Sequence, residues 1–242
     1  MIERIVEVKK LEVEGLTGRS FGPRQRPVKK LVFDGPVNII AELKRKSPSA
    51  GFIGEMDEGR IAAYTRYARA ISVLTDSFFF GGSYGFLDHV AGMTDLPLLC
   101  KDFIIDRKQI DRAYTAGADL VLLIARILTS AHLEMLYTHA RDLGLSCLVE
   151  IHGGEELDRI AGLDPEIVGV NSRDLDTLEI DLEGAARTLA CVTAPVRIAE
   201  SGIRSRDDIE RMAKAGANGF LVGETLMRSK EPAATFEELL HG

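Results

Sequence analysis

The sequence predicts an α/β fold, a single (β/α)8 TIM barrel with a short N-terminal helical extension. Three observations predict it. Short β-type apolar runs occur eight times, near residues 38–43, 71–75, 97–101, 119–124, 146–150, 167–171, 196–200 and 219–222. Amphipathic stretches separate them, and starts roughly 20–35 residues apart fit one strand and one helix per unit. Nearly every run ends in a polar group, as in Glu42-Leu43-Lys44, Cys100-Lys101, Val149-Glu150, Val170-Asn171 and Glu200-Ser201-Gly202. A parallel barrel gathers such ends on one face, where its active sites lie.

The connecting elements carry their own signals. Asp106, Thr129 and Ser205 are of the types that cap helix N-termini. Ala116-Gly117-Ala118-Asp119 and Ala215-Gly216-Ala217-Asn218 each precede a strand. Both read as one tight helix-to-strand turn with glycine in the left-handed position. Residues 38–242 form the expected barrel, and residues 1–37 stand outside the eightfold count. Within them Glu3–Glu14 predicts a helix with Ile5, Val8 and Leu11/Glu12 on successive turns. The loop Ser20–Pro27, with two prolines, follows it. The apolar content of this segment favours packing on a barrel end over a disordered leader.

Composition excludes several classes. The 242 residues suit one barrel of about 250 residues. A net charge of -7 argues against nucleic acid as partner. No apolar run approaches the roughly 18 residues of a membrane span, and the charged start does not read as a secretory signal. Cys100, Cys147 and Cys191 form no CxxC, which fits buried thiols in a reducing cytoplasm. Adjacent side chains of a strand face opposite ways, so Cys100 is expected behind Lys101.

The strand ends supply the candidate chemistry. Lys101 at a barrel mouth can protonate a developing alkoxide, with nearby cations and burial expected to lower its pKa. Position alone leaves that reading level with an ordinary strand-end lysine. Glu150 can act as a base or hold an ammonium, against the reading of a glutamate that begins a loop. His152 reads as a structural histidine and stays outside the expected site. Glu42 and Lys44 share a face of the first strand, which is costly for opposite charges unless they pair or meet a ligand. The basic loop Arg45–Gly51 after them, with Ser47 and Ser49, reads as facing an anion. Arg173, two residues after Asn171, can grip a carboxylate or phosphate; the plainer reading is an ion pair with Asp174. Glu200-Ser201-Gly202 and Val222-Gly223-Glu224 occupy the seventh and eighth loops, where barrels often bind phosphate. Phe78-Phe79-Phe80 and Phe103 supply a flat apolar surface, with core packing of at least one as the plainer alternative.

These motifs, in this order and spacing, resemble indole-3-glycerol phosphate synthase over essentially the whole chain. The resemblance rests on Ile40–Ser49, Ser72–Asp76 with Gly82-Ser83, Lys101–Ile104, Leu148–His152, Val170–Leu175, Ala199–Ile203 and Val222–Met227. It implies a phosphorylated small-molecule substrate, 1-(2-carboxyphenylamino)-1-deoxyribulose 5-phosphate, which cyclises with loss of carbon dioxide and water in tryptophan biosynthesis. It implies Lys101 as general acid, Glu150 in the dehydration, Lys44 on the substrate carboxylate, Glu42 orienting the lysines and Asn171 on a hydroxyl. Arg173 would support this polar network, with Glu200 beside the substrate. Phe80 and Phe103 would pack on the aromatic ring, and Ser47 belongs to the loop over the site. Ser201, Gly202, Gly223 and Glu224 would cradle the phosphate, chiefly through backbone groups, with the Glu224 side chain turned away. No metal or organic cofactor is called for, because an iminium in the cyclised intermediate accepts the electrons of decarboxylation. The resemblance has two departures: Ser172 stands where many relatives carry asparagine, and the link from Arg26-Pro27 to the first strand is short. Two other readings compete. A phosphoribosylanthranilate isomerase-like barrel would need a catalytic Cys near the first strand, and none is there. A non-catalytic relative, kept as a partner of another pathway enzyme, would be expected to lack one of Lys44, Lys101 and Glu150.

Overall fold

Strand alternation sorts the apolar residues into two layers of one closed barrel. The computed structural model describes residues 1–16 and 22–242. Its barrel strands are β1 (Ile39–Leu43), β2 (Ala70–Leu74), β3 (Leu98–Lys101), β4 (Leu120–Ile124), β5 (Ser146–Ile151), β6 (Ile167–Asn171), β7 (Val196–Glu200) and β8 (Gly219–Val222). Each pairs in parallel with its neighbours, and β1 closes the ring by pairing with both β2 and β8. All eight expected strands are present, with ends within one residue of expectation. One set of side chains, including Ile40, Leu99, Leu122, Leu148, Ile198 and Leu221, fills the barrel interior. The alternate set, including Ala41, Cys100, Val121, Val149, Val170 and Val222, packs under the surrounding helices. Cys100 thus lies behind the wall that carries Lys101, and its buried thiol contacts Thr75 Oγ1 at 3.3 Å. Burial pushes that thiol well above its usual range.

The helices are α1 (Ile2–Leu16), α2 (Glu58–Tyr67), α3 (Tyr84–Ala91), α4 (Arg107–Thr115), α5 (Ser130–Asp142), α6 (Leu157–Ile160), α7 (Leu182–Leu189), α8 (Arg206–Lys214), α9 (Glu224–Arg228) and α10 (Pro232–His241). Asp106 caps α4 in a capping box with Gln109, Thr129 caps α5, and Ser205 caps α8 with Asp208. Gly117 and Gly216 both take positive φ, 93° and 109°, at the two matching turns.

The N-terminal segment touches both ends of the barrel. Met1 and, within α1, Ile5 line the cavity at the C-terminal ends of the strands. Farther on, Arg24 donates to Asp119 at 2.6 Å, just before β4. The amides of Lys29 and Leu98 also donate to Asp119, each at 2.9 Å, so one buried carboxylate fastens the link under the barrel. Phe33 packs beneath Gly219, where a Cβ would collide with its ring. Ser20 and Phe21 of the expected loop lie outside the described residues.

The expected face of α1 needs correction. Its buried positions are Ile5, Lys9 and Val13, whereas Leu11 is 68% exposed. Apolar periodicity set that face one position away, because a lysine normally counts as a solvent residue. Here the Lys9 ammonium meets buried carboxylates, which offset its desolvation.

Candidate active site

Five strands place a polar side chain on the inner face at their last or next-to-last residue. The inward positions of β1, β3, β5, β6 and β7 carry Glu42, Lys101, Glu150, Asn171 and Glu200. Their side chains converge on one cavity of about 270 Å³. Lys101 Nζ lies 3.3 Å from Glu150 Oε2 and 3.2 Å from Glu200 Oε2. Asn171 Nδ2 donates to Glu150 Oε1 at 3.2 Å, and the Arg173 amide donates to Asn171 Oδ1 at 3.0 Å. Lys44 Nζ pairs with Glu42 Oε1 at 2.7 Å. Glycines make this crowding possible. A Cβ at Gly169 would collide with Glu200 Oε1, and one at Gly223 with Glu42 Oε1.

The charge pattern corrects one expectation. Burial alone would lower the pKa of Lys101, but Glu150, Glu200 and Glu42 outweigh it and hold the ammonium above its usual range. Carboxylates, not cations, surround this lysine. Burial alone would raise Glu42, yet Lys44 and Lys101 bring it below its usual value. Glu150 also lies low: burial is overcome by Lys101, with help from His152 and Asn171. Glu200 goes the other way. Burial and the neighbouring Glu150 push it up to about 8 against the pull of Lys101. Two carboxyl groups on one ammonium hold a proton between them in the neutral range.

The raised Glu200 has a consequence for stability. Its ordinary value is 4.5, and in the fold it is about 8. Between these values the folded chain keeps a proton that the unfolded chain releases, so stability falls as pH rises through that window. Glu200→Gln is expected to flatten the decline. Thermal midpoints measured from about pH 4.5 to about 8 check this, parallel curves being the contrary result.

The other expected residues lie around the same cavity. Phe80 and Phe103 line it with ring centroids 6.1 Å apart. Phe78 is 53% exposed and does not line the cavity; its ring packs edge-on against Phe79. Ser47 and Ser49 line the cavity from a short antiparallel hairpin, Lys46–Ser47 against Gly51–Phe52. Of the basic side chains here, Arg45 pairs with the Glu55 carboxylate at 3.2 Å and Lys46 donates to the Phe78 carbonyl at 2.9 Å, and neither lines the cavity. Arg173 lines the cavity and donates to the Leu178 carbonyl at 2.9 Å. The expected alternative, an Arg173–Asp174 pair, is replaced by Arg126–Asp174 at 3.0 Å, because two neighbouring strand-end side chains diverge.

Ser201, Gly202, Gly223 and Glu224 border the cavity beyond β7 and β8. Ser201 and Gly202 both have positive φ, 64° and 75°. The strained serine is pinned from β6: Ser172 Oγ donates to the carbonyls of Glu200 at 3.1 Å and Ser201 at 3.0 Å. Glu224 accepts from Arg228 Nε at 2.9 Å, one helical turn on.

A family model for indole-3-glycerol phosphate synthase matches residues 5–239. The chain belongs to the indole-3-glycerol phosphate synthase family. It is 42% identical to the indole-3-glycerol phosphate synthase of Bacillus cereus over 246 aligned positions, covering 98% of this chain and 97% of that one. The Staphylococcus haemolyticus enzyme of the same name is also 42% identical, over 223 positions, covering 91% and 86%. Among solved structures, a 3-hexulose-6-phosphate synthase superposes with a TM-score of 0.66 at 18% identity, over 85% of this chain and 98% of the other. A thiamine phosphate pyrophosphorylase from Pyrococcus furiosus gives 0.60 at 20%, over 84% and 93%. At those identities the likeness is one of fold.

Sequence reading missed two basic residues at this cavity. Arg204 and Arg228 line the cavity beside the seventh and eighth loops. Arg228 was readable as a residue four positions after Glu224 on a helix. His152, placed outside the expected site, does not line the cavity; its side chain is nearly buried, with Nε2 3.4 Å from Glu150 Oε1.

Proposed function

We propose that this site performs its family's reaction on 1-(2-carboxyphenylamino)-1-deoxyribulose 5-phosphate: ring closure, decarboxylation and dehydration to indole-3-glycerol phosphate, for tryptophan biosynthesis. The observation that carries the assignment of roles is the Lys101 ammonium held between Glu150 and Glu200 in a cavity also lined by Phe80, Phe103 and the seventh and eighth loops.

In this reading the phosphate lies against the backbone of Ser201, Gly202, Gly223 and Glu224, with Arg204 and Arg228 adding positive charge. Arg228 also neutralises the Glu224 carboxylate, which would otherwise repel the phosphate. The aromatic ring lies against Phe80 and Phe103, its carboxylate near Lys44, and a sugar hydroxyl near Asn171. The ring carbon that bears the carboxylate attacks the substrate carbonyl carbon. The carbonyl electron pair moves to oxygen, which takes a proton from Lys101. A raised pKa keeps Lys101 loaded, and an alkoxide is basic enough to take its proton. The nitrogen has become an iminium, so the carbon–carbon bond to the carboxylate breaks towards it and carbon dioxide leaves. In the dehydration the hydroxyl departs with a proton while the adjacent ring carbon loses a hydrogen. Glu150 and Lys101 serve these two transfers. Glu200, protonated near neutrality and 3.2 Å from Lys101, reloads it.

Inorganic phosphate is expected to compete with the substrate, raising KM and leaving kcat unchanged. Steady-state kinetics across a phosphate series check this. Absence of competition at high concentration would remove the phosphate cradle from the account.

A further inference from the structure

Lys9 of α1 is 0% exposed, and its ammonium touches three carboxylates. Nζ lies 2.7 Å from Asp76 Oδ2, 2.7 Å from Asp102 Oδ1 and 2.6 Å from Glu12 Oε2. Asp76 and Asp102 are 0% and 3% exposed, and among the described residues Lys9 alone forms an ion pair with either. Asp76 follows β2 and Asp102 follows β3, so one lysine from outside the barrel bridges two adjacent strand ends.

Both aspartates also accept from backbone amides of the aromatic pocket. Asp76 Oδ1 accepts from the amides of Phe79 at 2.6 Å and Phe80 at 3.0 Å. Asp102 Oδ1 accepts from the Phe103 amide at 2.8 Å, and its Oδ2 accepts from Thr75 Oγ1 at 2.8 Å. Removing the cation would leave two buried carboxylates uncompensated. They would have to take up protons or draw water in, and either change disturbs the amides they hold.

We propose that Lys9 is a positioning residue for ring recognition. It acts through Asp76 and Asp102 to set Phe80 and Phe103 against each other, and so ties α1 to substrate affinity. This rests on the reading of Phe80 and Phe103 as the ring-binding pair. The group transfers occur at Lys101, Glu150 and Glu200, which Lys9 does not touch, so a loosened ring pocket weakens binding more than it slows chemistry.

The test is steady-state kinetics of Lys9→Met and Asp76→Ala with the carboxyphenylamino substrate, together with the Ki of inorganic phosphate. Asp76→Ala leaves Lys9 paired with Asp102 and Glu12, and it decides the question if Lys9→Met does not fold. The expected result in both is a KM raised about tenfold, with kcat within about threefold and the phosphate Ki unchanged. A role confined to anchoring α1 would lower the folded fraction, and apparent kcat with it, at an unchanged KM; that result overturns the proposal. Phe80→Ala and Phe103→Ala separate the two levels. If they raise KM while Lys9→Met and Asp76→Ala do not, only the role of Lys9 falls. If they too leave KM unchanged, the ring pocket falls and the proposal with it.

Discussion

Lys101→Ala is expected to abolish measurable turnover while substrate still binds. Loss of a positioned proton donor costs about 10²- to 10⁴-fold on its own. Here the loss goes further, because the same ammonium is the shared counter-ion of Glu150 and Glu200. Without it those two buried carboxyl groups face each other with the His152 ring beside Glu150, and protonation is their least costly response. The variant therefore loses the acid and shifts the protonation of its neighbours together. In the proposed reading the groups that recognise the substrate's ends are separate: the loops after β7 and β8 for phosphate, Phe80 and Phe103 for the ring. Binding should survive, so the effect falls on kcat. Single-turnover kinetics and a direct binding titration check this. Near-normal turnover would remove Lys101 as the acid.

Glu150→Gln is expected to slow the reaction by about 10²-fold or more. The change is nearly isosteric, so packing around this residue, 1% exposed, should hold. What changes is charge and hydrogen-bond direction. Asn171 Nδ2 donates to Glu150 Oε1 and Lys101 donates to Oε2. An amide can accept from one of these donors but must present its own N–H groups to the other. The variant thus cannot take up a proton, and it sets a donor against a donor. The rate measured across the pH range should be depressed throughout, and an unchanged rate at every pH would remove Glu150 from proton transfer.

Much of the barrel was legible because its strands obey a period of two and its turns carry glycine where φ must be positive. Glu42, Lys101, Glu150, Asn171 and Glu200 were legible as candidates because each stands at or near the C-terminal end of an apolar run, and a parallel barrel gathers those ends on one face. Their electrostatics were not legible. The sign of the Lys101 shift depends on how many carboxylates from β1, β5 and β7 meet one ammonium, and that follows from barrel closure. Lys9 was invisible for a related reason. Its partners, Asp76 and Asp102, are 67 and 93 positions away, and no local pattern marks a lysine as buried. Ser172 shows the same limit, since only the structure reveals that its hydroxyl holds the left-handed Ser201.

Indole formation tests the central claim most directly. The protein is mixed with 1-(2-carboxyphenylamino)-1-deoxyribulose 5-phosphate and the fluorescence of the product is followed. The chain contains no tryptophan, so its own emission contributes little background. The expected result is a signal that grows with the unaltered protein and vanishes with Lys101→Ala. No signal from the unaltered protein, while it still binds the phosphorylated substrate, would contradict the claim.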